Sequence, residues 1–178
     1  LASGFDLAKA STFVELRTLA KHQRPRKAWI GLPCTDWSAC QNWDSGDAVR
    51  VADLEASRKK SRQMIRRTVL FIVELIDPYS TEIYWEWPAR CLGFNDPSCR
   101  CLGQLLRRRG KILGSARIDG CRYDLRDSHD EHLVEKPWRI DSTDADFVSE
   151  FRNKTCTNTT RNESGPTDRV HTKLMGAE

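Results

Sequence analysis

The chain has 178 residues, of which 39% are hydrophobic and 30% are charged, with a formal net charge of +4. This length and composition fit a single globular domain with a real core, and they exclude a largely disordered chain. The longest apolar run, residues 69–73, is too short to cross a bilayer, so no membrane partner is expected. No positively charged segment precedes an apolar run, so we predict no signal peptide and an intracellular location, nuclear or cytoplasmic.

The chain has seven cysteines, which is an uneven count, and it is longer than the small domains that disulfides hold together. Both features are typical of reduced thiols inside the cell. A structural zinc site is the alternative interpretation. Its ligands would come from Cys91, Cys99, Cys101 and Cys121, with Cys156 or His129. The Cys99-x-Cys101 spacing is not that of a usual zinc-binding pair, and no second pair mirrors it, so we expect no metal.

Helical and strand-like patterns alternate along the chain. Thr12-x-x-Glu15 is a capping box, which predicts that the first helix begins there and ends before Pro25. The later helices are predicted over residues 52–76, 98–109 and 143–151. The strands are predicted over residues 27–32, 82–87 and 112–118, with turns and a short hairpin over residues 119–140.

This alternation predicts an α/β fold with a mainly parallel sheet and flanking helices. We expect residues 1–152 to form the α/β domain and residues 153–178 to be a polar, poorly ordered tail. In parallel sheets the functional residues collect just beyond the carboxyl ends of the strands. The two motifs that follow lie at such positions.

The first motif, Gly31-Leu32-Pro33-Cys34, comes directly after the first predicted strand. A proline before a cysteine makes a stiff turn that can project the sulfur into a cleft. The thiolate form of a cysteine is the nucleophile. The alternative interpretation is that Cys34 is a small buried hydrophobic residue, which is the more common role of an isolated cysteine.

The second motif, Trp85-Glu86-Trp87-Pro88, ends the next predicted strand. A carboxyl group between two indoles would be partly desolvated, and desolvation favours a protonated form that can donate a proton. The alternative is an edge-strand glutamate that points to water between two core aromatic residues.

Four motifs in a fixed order carry a family resemblance. They are Leu32-Pro33-Cys34-Thr35-x-Trp37-Ser38, Glu86-Trp87-Pro88, Asp119-Gly120-Cys121 and Lys136-Pro137-Trp138-Arg139. In this order they resemble the cytosine-5 DNA methyltransferase family, and more closely the divergent methyltransferase-like segments of protist and mobile-element polyproteins. The resemblance covers residues 4–156 and implies a Rossmann-like fold that is truncated on its N-terminal side.

The resemblance also implies a reaction and its residues. The Cys34 thiolate would add to carbon 6 of cytosine in DNA, and carbon 5 would then take the methyl group of S-adenosylmethionine. Glu86 would hold or protonate ring nitrogen 3, and Arg139 would contact the base or a phosphate. The other substrate-binding positions implied by the resemblance are Pro33, Thr35, Trp37, Ser38, Trp87 and Pro88.

One feature of the family is missing from this sequence, namely the glycine-rich loop that receives the cofactor. The resemblance therefore implies that an upstream segment or a partner chain completes the S-adenosylmethionine site. Two basic runs, Arg58-Lys59-Lys60 and Arg107-Arg108-Arg109, suit contacts with nucleic-acid phosphates, although solvated helix faces are the alternative. A catalytically inactive nucleic-acid-binding domain from a mobile element or polyprotein is the alternative function.

Overall fold

A computed structural model describes residues 6–38, 41, 46–126, 133–134, 136–152 and 154–156, together with the backbone of residues 171–172. Within these residues the α-helices are Ala10–Gln23 (α1), Ala48–Tyr79 (α2), Pro97–Arg107 (α3) and Ala145–Phe151 (α4). The strands are Lys27–Gly31 (β1), Glu82–Pro88 (β2), Gly114–Asp119 (β3), Leu133–Val134 (β4), Pro137–Ser142 (β5) and His171–Thr172 (β6). The predicted α/β class is confirmed.

The main sheet has four strands in the order β1-β2-β5-β3, with helices packed against it. β1 and β2 are parallel, whereas β5 is antiparallel to both β2 and β3. The prediction of a mainly parallel sheet is therefore wrong for β5, which lies in the segment expected to form turns and a hairpin. An antiparallel neighbour needs no crossover helix, and the described residues between β3 and β5 contain none.

β2 lies inside the sheet, and its two faces pack against different layers. Successive side chains of a strand point to opposite faces. Ile83, Trp85 and Trp87 belong to the large core cluster with α2 and α3, while Tyr84 packs with Ile118 and the α4 side. The sheet is thus covered by α2 and α3 on one face and by α4 on the other.

α2 is longer than the helix predicted over residues 52–76. Asp47 caps its N-terminus by accepting hydrogen bonds from the amides of Val49 and Arg50 at 2.9 and 3.3 Å. Its C-terminus passes through Pro78 and ends where Ser80 adopts a left-handed conformation with φ 51°. A proline this close to the end removes a single hydrogen bond of the last turn, which explains why the helix does not stop before it.

The capping box predicted for α1 does not form. α1 begins at Ala10, so Thr12 lies inside the first turn, and its hydroxyl donates to the carbonyl of Asp6 at 2.7 Å. The helix nevertheless ends before Pro25, as predicted, with Arg24 in a left-handed conformation. Local capping signals therefore located the helix but not its first residue.

Part of the segment after residue 152 contacts the domain, although most of the predicted tail lies outside the described residues. The amide of Cys156 donates to a carboxylate oxygen of Asp119 at 2.7 Å, and β6 pairs in parallel with β4. No helix in the described ranges has the length and apolar character needed to span a membrane.

Candidate functional site

The loop after β1, which carries Cys34, is held by buried tryptophans on both sides. The indole N–H of Trp87 in β2 donates to the carbonyl of Leu32 at 2.7 Å. The indole N–H of Trp37 donates to the hydroxyl of Ser61 on α2 at 2.7 Å. Both donors are buried, so these bonds are protected from water and fix the backbone on either side of Cys34.

α2 holds the same loop through a second set of contacts. The hydroxyl of Ser57 donates to the Asp36 carboxylate at 2.8 Å, and Nε of Arg58 donates to the Asp36 carbonyl at 3.0 Å. The guanidinium carbons of Arg58 and Arg62 lie 5.7 and 5.5 Å from the centre of the Trp37 ring. Arg58, which was predicted to contact nucleic acid, is thus engaged in contacts with this loop.

Cys34 is half-buried and packs against the large core cluster, close to the thiol of Cys91. Burial raises the pKa of the Cys91 thiol to about 11. At neutral pH Cys91 is therefore protonated and a poor nucleophile. Of these two neighbouring thiols, Cys34 is the one that solvent can reach.

Glu86 lies opposite Gly31 in the parallel register of β1 and β2. This register puts the Glu86 backbone at the carboxyl edge of the sheet, beside Gly31. Gly31 in turn precedes Cys34 by three residues in the chain. One carboxylate oxygen of Glu86 accepts a hydrogen bond from the indole N–H of Trp29 at 3.0 Å. The Trp29 ring stacks on Tyr84 with centroids 5.3 Å apart, and this stack orients the donor.

The expectation that Trp85 and Trp87 enclose Glu86 is wrong, because alternation along β2 puts both indoles on the opposite face of the sheet. Cys34 packs on that opposite face as well, where α2 and α3 lie. The thiol and the carboxyl group thus share the carboxyl edge of β1 and β2 but leave the sheet on different faces. Their convergence on one pocket stays a prediction.

Arg139 on β5 lies on the α3 side of the sheet. Its Nε and Nη2 donate to the two oxygens of Asp141 at 2.7 and 2.8 Å, and its guanidinium carbon lies 4.1 Å from the centre of the Phe94 ring. These residues line a cavity of about 200 Å³ between β2, β5 and α3. Neither Cys34 nor Glu86 lines this cavity.

The remaining predicted site residues differ in exposure. Trp87 is 1% exposed, so it contributes through the loop it holds. The predicted substrate-binding residues that reach the surface to some degree are Pro33, Thr35, Ser38 and Pro88. The predicted phosphate contacts that are exposed are Lys59, Lys60, Arg107, Arg108 and Arg109, of which Arg109 forms an ion pair with Asp77 at 2.9 Å.

Sequence reasoning missed Trp29, Ser61 and Gly93 as supporting residues. A Cβ atom on Gly93 would lie 2.8 Å from Trp87 and 3.2 Å from Trp37, so only glycine fits where both indoles pack. The one sequence signal for Trp29 is its position two residues before Gly31, on the same face of β1. Ser61 carried no signal, because its partner is 24 residues away in the chain.

The described residues do not fit the cofactor that the resemblance implies. None of the strand ends in these ranges leads through a glycine-rich turn into a helix N-terminus, the feature that receives such anionic groups. In the same ranges no group of three His, Cys, Asp or Glu side chains could hold a metal ion, and His129 lies outside them.

Comparisons with known proteins identify no relative. No protein-family model matches the chain, and no curated protein or solved structure is significantly similar to it. The resemblance to cytosine methyltransferases thus rests on the order of the four motifs in the sequence.

Proposed function

We propose that the chain binds a cytosine in nucleic acid and adds the Cys34 thiolate to carbon 6 of the base. This addition is the first step of S-adenosylmethionine-dependent methyl transfer to carbon 5 by a DNA cytosine methyltransferase. The observation that supports the proposal is the pairing of β1 with β2, which brings the Cys34 loop and Glu86 to one edge of the sheet. Functional groups of α/β sheets collect at this edge.

The chemistry can be written for the residues of this chain alone. The thiolate forms a bond to carbon 6, and the electron pair of the ring double bond moves towards carbon 5. Glu86, one oxygen of which accepts the Trp29 N–H, donates the proton of its carboxyl group to ring nitrogen 3 and takes it back when the thiolate leaves. Carbon 5 then takes a proton from water, loses the original hydrogen as a proton, and expels the thiolate, which regenerates cytosine.

The contacts of the Cys34 loop support this role because they position the nucleophile before the base arrives. The loop is anchored to β2 by Trp87 and to α2 by Ser61, Ser57 and Arg58. The base itself would have to leave the stack to reach the loop. Methyl transfer additionally requires a cofactor-binding element, which we place in an upstream segment or a partner chain.

Exchange of the cytosine carbon-5 hydrogen with water tests the proposal without any cofactor. We expect the protein to release tritium from DNA that contains 5-tritiated cytosine, and Cys34→Ala to abolish the release. Glu86→Gln should slow it by about 10²–10⁴-fold, the usual contribution of a positioned acid. Cys101→Ala, which removes a half-buried thiol on α3, is the matched control and should leave the rate unchanged. Equal release by Cys34→Ala and wild type would rule the proposal out.

A binding-only function is the second candidate, and the exposed side chains of Lys59, Lys60, Arg107 and Arg108 favour it. Binding through these residues would be dominated by phosphate contacts and would weaken steeply with salt. We expect such binding to survive Cys34→Ala, with no tritium release by either protein. Fluorescence anisotropy with labelled single- and double-stranded DNA and RNA measures this, and affinity that is independent of salt would contradict it.

A further inference from the structure

The cavity beside Arg139 is separate from the Cys34 loop and has the composition of a ligand site. Trp85 and Phe94 form aromatic walls, and Leu113 adds an aliphatic wall. Arg139 and Asp141 close the β5 side through their paired hydrogen bonds. An aromatic and aliphatic lining with a few polar groups is the usual composition of a small-molecule pocket.

The α3 wall of the cavity includes Arg100, Gly103 and Arg107 beside the apolar side chains of Cys99 and Leu102. Residues three and four apart share one face of a helix, so the two arginines flank the glycine on the cavity side. A Cβ atom built on Gly103 has no heavy atom within 4 Å. The glycine therefore leaves open space between two positive charges, and no packing requirement explains why a side chain is absent there.

The charges around the cavity favour a dianion. Arg100, Arg107 and Arg139 supply three positive charges, and among the residues that the structure describes Asp141 is the one acidic residue that lines the cavity, which leaves an excess of two. The carboxylate of Asp141 already accepts both hydrogen bonds from Arg139. A phosphate monoester carries a charge of about −1.5 to −2 at pH 7, which matches the excess.

The hydrogen-bonding groups of the walls support the same conclusion. The three arginines are donors only. The carboxylate of Asp141 already accepts both hydrogen bonds from Arg139. The walls therefore have an excess of donors over acceptors, which is complementary to phosphate oxygens.

We propose that this cavity binds a small organic phosphate monoester. The phosphate lies over Gly103 between Arg100 and Arg107, and the organic part packs against Phe94 and Leu113. The site does not use Cys34 or Glu86, so this proposal is tested independently of the proposed cytosine chemistry.

Isothermal titration calorimetry with cytidine 5′-monophosphate as the probe tests the proposal. We expect saturable binding at millimolar concentration or below, and at least about tenfold weaker binding by cytidine, which lacks the phosphate. Arg107→Gln should weaken binding by about tenfold, the loss expected for one charge-assisted hydrogen bond. Arg152→Gln removes the same charge from the C-terminus of α4, on the other face of the sheet, and should change the affinity less than about twofold.

Gly103→Leu tests the location of the site, since the new side chain would fill the cavity and abolish binding. Gln104→Leu is its control, because Gln104 is exposed and does not line the cavity. Circular dichroism establishes whether each variant is folded. If Gly103→Leu does not fold, Arg107→Gln still tests the proposal. Equal binding of cytidine and cytidine monophosphate, no binding at millimolar concentration, or equal losses in Arg107→Gln and Arg152→Gln would overturn the proposal.

Two further experiments identify the source of the phosphate group and the charge that the site recognises. A 5′-phosphorylated oligonucleotide that outcompetes both the mononucleotide and the same strand with a 5′-hydroxyl group identifies the end of a strand as the ligand. If the phosphorylated strand has no advantage, a free small ligand is indicated.

Affinity for the mononucleotide should fall as the pH drops below about 6, where the phosphate becomes a monoanion. An unchanged affinity there would contradict the match to a dianion.

Discussion

At the scale of single residues, the partners of a side chain differ from its neighbours in sequence. Glu86 stands between two tryptophans in the chain, yet the indole that it contacts is Trp29 on the adjacent strand. Arg58 belongs to a basic run, yet it binds the loop carbonyl of Asp36. In both cases the side-chain direction, set by strand alternation or by a helix face, determines the contact.

Replacing Gly93 by alanine should destabilise the protein by about 1–3 kcal/mol, the usual cost of overpacking a core. The added methyl group would lie 2.8 Å from Trp87 and 3.2 Å from Trp37, and both indoles are buried. Gly103→Ala is the matched control, because its Cβ meets no atom and alanine favours a helix by up to about 1 kcal/mol. Urea unfolding curves measure both changes, and a Gly93→Ala protein as stable as wild type would show that the indoles can move apart.

At the scale of elements, one carboxylate joins α4 to the sheet. Asp144 caps α4 by accepting a hydrogen bond from the amide of Phe147 at 3.0 Å, and it also accepts one from the hydroxyl of Tyr84 on β2. The cap bond, followed by the Tyr84 bond, lowers the pKa of Asp144 below its ordinary value. A carboxyl group with a lowered pKa in the folded state stabilises the protein above the unfolded pKa of about 4, and this contribution is lost as the pH falls.

Asp144→Ala should therefore cost about 1 kcal/mol of unfolding free energy at pH 7, as is typical for an N-cap. The difference from wild type should shrink towards pH 3, because the unfolded chain takes up a proton at this carboxyl group before the folded protein does. Denaturation at both pH values measures the effect. Asp146→Ala, in the first turn of the same helix, is the control. A penalty at pH 3 equal to that at pH 7 would contradict the assignment to the charged form.

At the scale of the whole molecule, the order of the strands determines which backbone is best protected. β2 and β5 are hydrogen-bonded on both sides, whereas β1 and β3 lie at the edges of the four-stranded sheet. We expect amide hydrogen exchange, followed by mass spectrometry, to be slowest for peptides that cover β2 and β5. Equal protection of β1 and β2 would indicate that another segment covers the outer edge of β1.

The sequence predicted four helices and three of the strands because their periodicity is a local property. It did not predict β5 as the strand between β2 and β3, since its residues 137–142 mix buried and half-buried positions and begin with a proline. The cavity beside Arg139 was likewise not predicted. Its walls come from β2, β5 and α3, and no local pattern encodes how these elements pack.

The sequence by itself determined the α/β class, the positions of most elements, and the placement of Cys34 and Glu86 near the ends of two successive strands. Hydrophobic periodicity, prolines and turn residues act over a few positions, so they can be read along the chain. Only the tertiary structure decided that β5 is antiparallel, that Glu86 pairs with Trp29, and that three arginines line one cavity. These features depend on the register and faces of elements that lie far apart in the chain, and burial of the shared core selects them.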